Sequence, residues 1–530
     1  MNVRLRKNRD CSEPGLCLES AVSNTVEARL PGSQSITAKF LTILCCLALF
    51  VLPLLLGGNI PVVQAIVQTV VLFVAVCLAF SSLCLGQRPA ALTSRTSTDW
   101  IYALVTSVLL FVVLSLIPLP LSFLEFISPL AAAGYKAVGS QWGYISVSPY
   151  LTYQQFLWIV SVCLIVVWVR RQPIENSRVG LGGTFSSAFS LTIQASGFLS
   201  AVIAIVNWVL GNEFYLGLVD PQRGDLHSSR AHWPFVNPNH LAAYLELALI
   251  LAVGKIARSA GSWKRHPYER WGESMLRLMT QPRVLFSLLT NSIGIVCMLI
   301  ALFLSASKAG IILSLFGVGL LSIYSVTHVA KPDRVINAGQ KRKSVKHLLL
   351  VISCALIAIF AMTSDLGQNL VVERFEQGLV TRLDDARTHL YRSTMQISLD
   401  YPFTGVGLGN WHLIAPQYVP AALAGFSLDY AHNEYLQVLT ELGYFCAVAL
   451  FIAALLLILR TARTFVAADE IDRFNIFASS LVLVLPLLHA VVDFPLHIPA
   501  ISFALAVQLG LHLQLLDRCS GQGREALSLS

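Results

Sequence analysis

The chain has 530 residues, of which 55% are apolar and only 12% charged. That is about half the charge a soluble globular protein carries, and the mean hydropathy is +0.67. Too little charge is present to coat the several domains this length implies, which excludes a soluble enzyme, a disordered protein and a disulfide-stapled secreted domain. The apolar residues come in long blocks, so the composition points to an all-α polytopic membrane protein.

The first 38 residues are polar and are expected to form a cytoplasmic tail. The first apolar block, from about Phe40 to Leu56, ends at Gly57-Gly58 without an Ala-x-Ala-like cleavage site, so it is expected to be an uncleaved span. About twelve spans follow from the block pattern, near 40–57, 60–85, 100–118, 153–169, 188–210, 239–256, 285–305, 309–326, 347–363, 438–459, 474–491 and 498–515. Spans one to nine are assigned to 39–363, with outer loops at 119–150 and 211–238. A large outer loop over 364–437 follows, then spans ten to twelve over 438–515 and a cytoplasmic tail over 516–530. A loop as long as 364–437 is expected to hold helices of its own and a function.

With the N-terminus in the cytoplasm, the outer loops hold only Lys136, Arg223, Arg230, Lys308, Arg374, Arg382, Arg387 and Arg392 out of 37 Lys and Arg. That bias supports both termini inside. It also explains the net charge of +8 as an orientation signal, so no nucleic-acid partner is expected. Membrane lipid is, and the basic stretch 258–284 with Trp263, Tyr268 and Trp271 is expected at the inner interface. Eleven cysteines lie mostly inside apolar blocks, with no Cys-x-x-Cys pair, and are expected to be small buried hydrophobes.

The outward cations break the bias, and three polar positions stand out. Arg230 precedes Asn237-Pro238-Asn239, where a tight turn opens span six and Asn237 or Asn239 can cap the helix. Arg230 then reads equally as a snorkelling side chain or as a cation at the outer mouth. In 382–399, Leu383, Ala386, Leu390, Tyr391 and Ile397 form one helical stripe, with Asp385, His389 and Arg392 opposite. Arg387 falls inside the stripe, where it needs an anion: Asp384, a neighbouring loop, or a phosphate held by the guanidinium fork. His432 lies in Asp429-Tyr430-Ala431-His432-Asn433-Glu434-Tyr435, in line with Leu436 and Leu439 at the start of span ten. It is either a satisfied structural histidine or a proton acceptor.

The run Gly405-Val406-Gly407-Leu408-Gly409 resembles a phosphate cradle. It lacks the strand and Gly-Lys-Ser/Thr context, so a tight turn, or a lining where backbone approaches ligand, is expected. Glu246, Lys308, His489, Asp493 and His497 are ionisable groups within or at the ends of spans. Asp493 and His497 are placed to pair with each other or to orient the site.

Taken in order, these strings resemble the O-antigen ligase and polymerase superfamily of bacterial envelope glycan assembly. The match rests on Arg230 seven residues before Asn237, on Arg387, Tyr391, Pro402 and Gly405-Gly407-Gly409, and on His432-Asn433-Glu434-Tyr435-Leu436. Two departures are Lys308, where arginine is common, and the Ala231-His232-Trp233 tract, where a glycine is common. The resemblance implies a multi-span, GT-C-like glycosyltransferase of the bacterial inner membrane with a periplasmic site. It implies inverting transfer of a glycan from an undecaprenyl-diphosphate donor to a glycan, lipid-core or protein acceptor, in lipopolysaccharide or exopolysaccharide synthesis. Arg230 and Arg387 would stabilise the leaving diphosphate, and His432 would be the general base. Substrate contacts are expected at Lys308, Arg382, Asn237, Asn239, Gly407, Asn433, Tyr435 and Asp493. No cofactor and no metal are expected. The competing function is a transporter or flippase of lipid-linked glycan, which would use the same cations without chemistry.

Overall fold

The computed structural model describes residues 36–84, 97–172, 187–212, 214–219, 230–262, 280–325, 327, 382–423 and 428–528. The expected ninth span, the stretch 263–279 and most of the expected N-terminal tail lie outside them. By its contacts the chain divides into two units, residues 1–45 and residues 46–530.

The elements are nearly all helical. In chain order they begin with α1 (Ile36–Leu54), α2 (Pro61–Cys84), α3 (Ser97–Ser115), β1 (Leu119–Pro120), α4 (Leu121–Ile127), α5 (Pro129–Ala137), β2 (Trp142–Gly143) and α6 (Pro149–Arg170). Next come α7 (Ala188–Val209), a two-stranded hairpin β3 (Phe214–Tyr215) and β4 (Leu218–Val219), α8 (Pro238–Ser262), α9 (Pro282–Leu304) and α10 (Lys308–Tyr324). The last are α11 (Arg382–Asp400), α12 (Trp411–Ile414), α13 (Glu434–Ala467), α14 (Glu470–His489) and α15 (Pro499–Ser528). Among the described residues, seven stretches are long and apolar enough to cross a membrane: α6, α7, α8 as far as Arg258, α9 from Leu285, α13, α14, and α15 as far as Ser520. Shorter apolar helices cover Lys39–Leu54, Pro61–Val76, Trp100–Ser115 and Lys308–Tyr324. Seven of the twelve predicted spans fall on the seven long helices, four fall on the shorter apolar helices, and the ninth lies outside the described residues.

The most enclosed spans are α8 and α15. Along α8, Leu241 to Ile250 is buried without a break, because α7, α9, α10 and α14 all pack around it. A helix apolar on every side belongs in such a central position. The α15 helix packs chiefly on α6, and α3 lies along α13.

The bundle has two polar poles. At one, Asp517 accepts from Arg170 Nε at 2.7 Å and also pairs with Arg460, while Arg518 pairs with Asp472 and Arg258 with Asn475. Asn239 and Arg258 lie at opposite ends of α8, and twenty residues of helix span about 30 Å, the thickness of a bilayer core. The other pole carries Arg230, His432 and Asp493.

The α13 helix is broken at Gly443 (φ +74°, ψ 173°). The break frees the carbonyls of Thr440 and Glu441, and the glycine run satisfies them: Val406 N donates to Thr440 O at 3.0 Å and Gly407 N to Glu441 O at 3.0 Å. In return Tyr444 N donates to Pro402 O at 2.8 Å. The buried Glu441 carboxylate accepts from Gly409 N at 2.7 Å and Trp411 N at 3.4 Å. Gly405, Gly407 and Gly409 all have positive φ, and a Cβ at Gly405 would stand 2.3 Å from Glu441 O. The run therefore approaches the chain's own helix. The tight turn is thus the reading this packing supports, and the Gly407 amide is engaged within the protein.

Gly405→Ala is expected to lower the unfolding free energy of the detergent-solubilised protein by about 2–4 kcal/mol, from left-handed backbone strain plus steric overlap. A thermal melt that matches the unsubstituted protein would contradict the assignment.

Candidate functional site

Three separate stretches of sequence meet at one pole through a chain of hydrogen bonds. Asn237 caps α8: its Oδ1 accepts from Asn239 N at 2.8 Å, and its carbonyl accepts from His240 N and Leu241 N. That cap leaves the Asn239 amide side chain to bridge. Arg230 Nη2 donates to Asn239 Oδ1 at 2.8 Å, and Asn239 Nδ2 donates to Asp493 Oδ2 at 2.7 Å. On the other side of the carboxylate, His432 Nδ1 lies 3.2 Å from Asp493 Oδ1. Arg230 and His432, some 200 positions apart in sequence, are thus joined through two intervening side chains.

Arg230 is fully buried, which removes the snorkelling alternative. Its Nε donates to Ser305 O at 2.6 Å, and Ala231 N donates to Leu304 O at 2.9 Å. Both bonds hold it against the turn between α9 and α10. Lys308 is the first residue of α10, three positions on, and Ser307 caps that helix by accepting from Gly310 N. The outer turn predicted around Lys308 is therefore the wall against which Arg230 rests.

Asp493 follows α14 and is buried. Burial on its own would raise its carboxyl. The hydrogen bond from His432 and the imidazoles of His240, His432 and His489 outweigh that and hold it well below the ordinary carboxylate range. Against an ionised Asp493, His432 Nδ1 is the ring nitrogen placed to donate to the carboxylate, and Nε2 is the one turned away from it. His240 Nε2 stands 3.9 Å from the same oxygen. Phe494 packs edge-on against both imidazoles, at 4.6 Å from His240 and 4.9 Å from His432, and stacks on Tyr430 at 4.2 Å.

His432 sits just before α13, near its first turn. Asn433 is the cap, its Oδ1 accepting from Leu436 N at 3.0 Å. His432 has a left-handed backbone (φ +53°) and a side chain 31% exposed, against 2% for Asp493. The ring is thus the accessible member of a buried pair. The Tyr391 hydroxyl donates to the His432 carbonyl at 2.9 Å, which ties α11 to this segment.

The α11 helix has the predicted stripe: Leu390 and Ile397 are buried, whereas His389 and Arg392 are exposed. Arg387 is half-buried. Its charge acts on Tyr391, one turn on, and on the buried His489. The Tyr391 hydroxyl is raised by burial, with Arg387 opposing and Asp493 adding. Arg382 is the first residue of α11. Tyr435 is exposed and donates from its hydroxyl to Leu487 O at 2.8 Å.

Asp493 and His497 take separate partners, contrary to the pairing allowed for above. His497 Nδ1 is 2.8 Å from Glu434 Oε2, and Glu434 Oε1 also accepts from Leu496 N at 2.7 Å. Two residues that periodicity did not single out, His240 and Ser305, also contact the chain of bonds. The first follows Asn239 directly and was open to notice there. The second acts through its carbonyl, which leaves no trace in sequence. Deeper in the bundle, Glu246 and His489 form a fully buried pair at 2.7 Å. Among the described residues no group of three or more His, Cys, Asp or Glu is arranged to hold a metal ion.

A helical, membrane-embedded bundle with a cationic pole built on a buried Asp–His pair defines a polytopic membrane protein with a candidate polar site. Residues 293–452 match the family model described as O-antigen ligase, which supports the resemblance to the O-antigen ligase and polymerase superfamily. A comparison with curated proteins returned no match. The matched stretch contains Lys308, Arg382, Arg387, Gly407 and His432 to Tyr435. Arg230, Asn237, Asn239 and Asp493 lie outside it; Arg230 and Asp493 bond directly to it, at Ser305 and His432, and Asn239 bridges those two.

Asp493→Asn is expected to slow glycan transfer by about 10²-fold or more, through loss of the carboxylate that orients His432, while the protein still accumulates in membranes. Wild-type turnover in that variant would overturn the orienting role. A second expectation concerns His497. Burial opposes its charge, but Glu434 and then Glu441 prevail and raise its value above that of a free imidazole. The stability this contributes is fully present below about pH 6.5 and is lost as pH rises through the raised folded value. Thermal melts across neutral to mildly alkaline pH should show that loss, and His497→Asn should flatten it.

Proposed function

We propose that the protein transfers a glycan, with inversion, from an undecaprenyl-diphosphate donor to an acceptor hydroxyl at the periplasmic face of the bacterial inner membrane. The observation that carries this reading is the bonded chain Arg230–Asn239–Asp493–His432. It places a cation and an oriented imidazole at one pole, with Arg387 on the adjoining helix. The opposite pole holds Arg170, Arg258, Arg460 and Arg518, which supports assigning that end to the cytoplasm.

The chemistry follows from these groups. His432 Nε2 accepts the proton of the acceptor hydroxyl as its oxygen attacks the anomeric carbon. The bond from that carbon to the diphosphate oxygen breaks, and the electron pair leaves with the carrier diphosphate. Arg387 and Arg230, with Lys308 nearby, stabilise the charge that develops there. Asp493 stays ionised and balances the imidazolium that forms. One displacement gives one inversion. The donor's diphosphate supplies the activation, so the reaction proposed needs no nucleotide.

Purified protein supplied with lipid-linked glycan and acceptor should release undecaprenyl diphosphate and yield a product of inverted anomeric configuration. His432→Ala and Arg387→Gln should each reduce release by about 10²–10⁴-fold while membrane levels hold. Movement of donor across vesicles without diphosphate release would replace this reading with a flippase.

A further inference from the structure

The segment between α3 and α6 folds on its own small core. β1 and β2 pair antiparallel, with Leu119 opposite Gly143. Between them α4 and α5 bury Leu124 and Ala132 with Ile145, and Leu119, Leu121, Ile127 and Tyr135 pack on these. That core leaves large apolar side chains outside it: Phe126 is 85% exposed, Val138 79%, Trp142 55% and Phe123 52%. Phe123 and Phe126 are three apart on α4 and share a face. Apolar side chains gathered this way on a structured hairpin mark a surface that something covers.

The connections say what covers it. Residues 116–118 join α3 to β1, and residues 144–148 join β2 to α6. At about 3.5 Å per residue these tethers reach roughly 10 and 18 Å, so the hairpin stays beside the ends of two apolar helices. Tyr150 and Tyr153, at the start of α6, are also exposed, in the pattern of aromatic side chains at a membrane interface. Lys136 and Glu125 form an exposed ion pair on the same hairpin, suited to a headgroup layer. Two membrane-side helices, short tethers and an aromatic rim favour lipid over a protein partner.

We propose that residues 119–148 form an interfacial foot that inserts Phe123 and Phe126 into the lipid leaflet at the pole of the candidate site. The foot is bolted to the segment that follows Arg387. Thr404 Oγ1 donates to Ser128 Oγ at 3.2 Å, Val147 N to Val406 O at 3.0 Å, and Asn410 Nδ2 to Ser146 Oγ at 2.9 Å. Ala131 joins Leu390, Ile397 and Trp411 in one buried cluster. The depth of the foot therefore sets the height of α11 above the membrane. On the glycan-transfer reading, on which this step rests, it holds Arg387 level with a diphosphate carried by a lipid. The foot lies outside the matched stretch 293–452.

The test uses the full chain in nanodiscs of phosphatidylethanolamine and phosphatidylglycerol, with native cysteines replaced and a nitroxide at Phe126→Cys. The expected result is greater collision with oxygen than with a water-soluble nickel chelate, as at the exposed Phe445→Cys on α13. Accessibility to the chelate matching that at Gln396→Cys, on the exposed side of α11, would overturn the proposal. So would shielding from both reagents, which would mean a second copy or another protein covers the face. In a second arm, Phe123→Asp with Phe126→Asp should cut transfer from a full-length lipid donor by about tenfold or more. Transfer from a water-soluble short-chain diphosphate donor should be unchanged. Equal losses on both donors would overturn the coupling of foot to site. Absence of transfer by the wild type would count against the glycan reading alone, since the nitroxide measurement judges the foot independently.

Discussion

A carboxylate enclosed by helices must be neutralised or surrounded by donors, and Asp493 is surrounded. It takes the Asn239 amide, the His432 imidazole and the Phe494 backbone N–H, with His240 beside it. Each of these comes with a piece of chain that has its own obligations. Asn239 can bridge because Asn237 has already capped α8. Arg230 can reach Asn239 because its Nε is fixed on the carbonyl of Ser305. Removing the carboxylate would leave the remaining members with one partner fewer at the centre of the pole, and a buried group stripped of its partner costs more than the bond itself.

The break in α13 plays the corresponding role for the extramembrane part. A helix interrupted at Gly443 exposes carbonyls that must find donors, and the glycine run is the segment shaped to supply them. Glu441 adds a buried carboxylate that gathers Gly409 and Trp411 and also accepts from Gln437 at 3.1 Å. Gln437 in turn accepts from Ala431 N at 3.0 Å, next to His432. The conformation of the loop after α11 and the conformation of the imidazole segment are therefore set by one short polar relay.

Much of this was legible from residue order. Long apolar blocks located the seven described helices that are long enough to cross a membrane, because the bilayer imposes a length that soluble helices need not meet. The stripe in α11 located Leu390 and Ile397 on the buried side, with Arg387 half-buried, because one helix has one period. Asn-Pro-Asn marked the opening of α8. The partners of Asp493 were not legible: they lie 61 and 254 positions away, and nothing local distinguishes His432 from His497 as the closer base. The glycine run left two readings open for a related reason. Positive φ says that backbone must come close to something, and whether that something is a ligand or a broken helix depends on a residue, Gly443, outside the run. Arg230 left two readings open because burial at a helix mouth is decided by a turn more than seventy positions later.

His432 occupies left-handed backbone territory, which glycine adopts without the steric cost that a side chain adds. The strain is held in place by Tyr391, Asn433 and Asp493 acting together. Variants selected for ruggedness alone would drift toward relaxing that residue, and would lose the rigid aim of its side chain as they did so. Durability and competence pull in opposite directions at this single peptide unit.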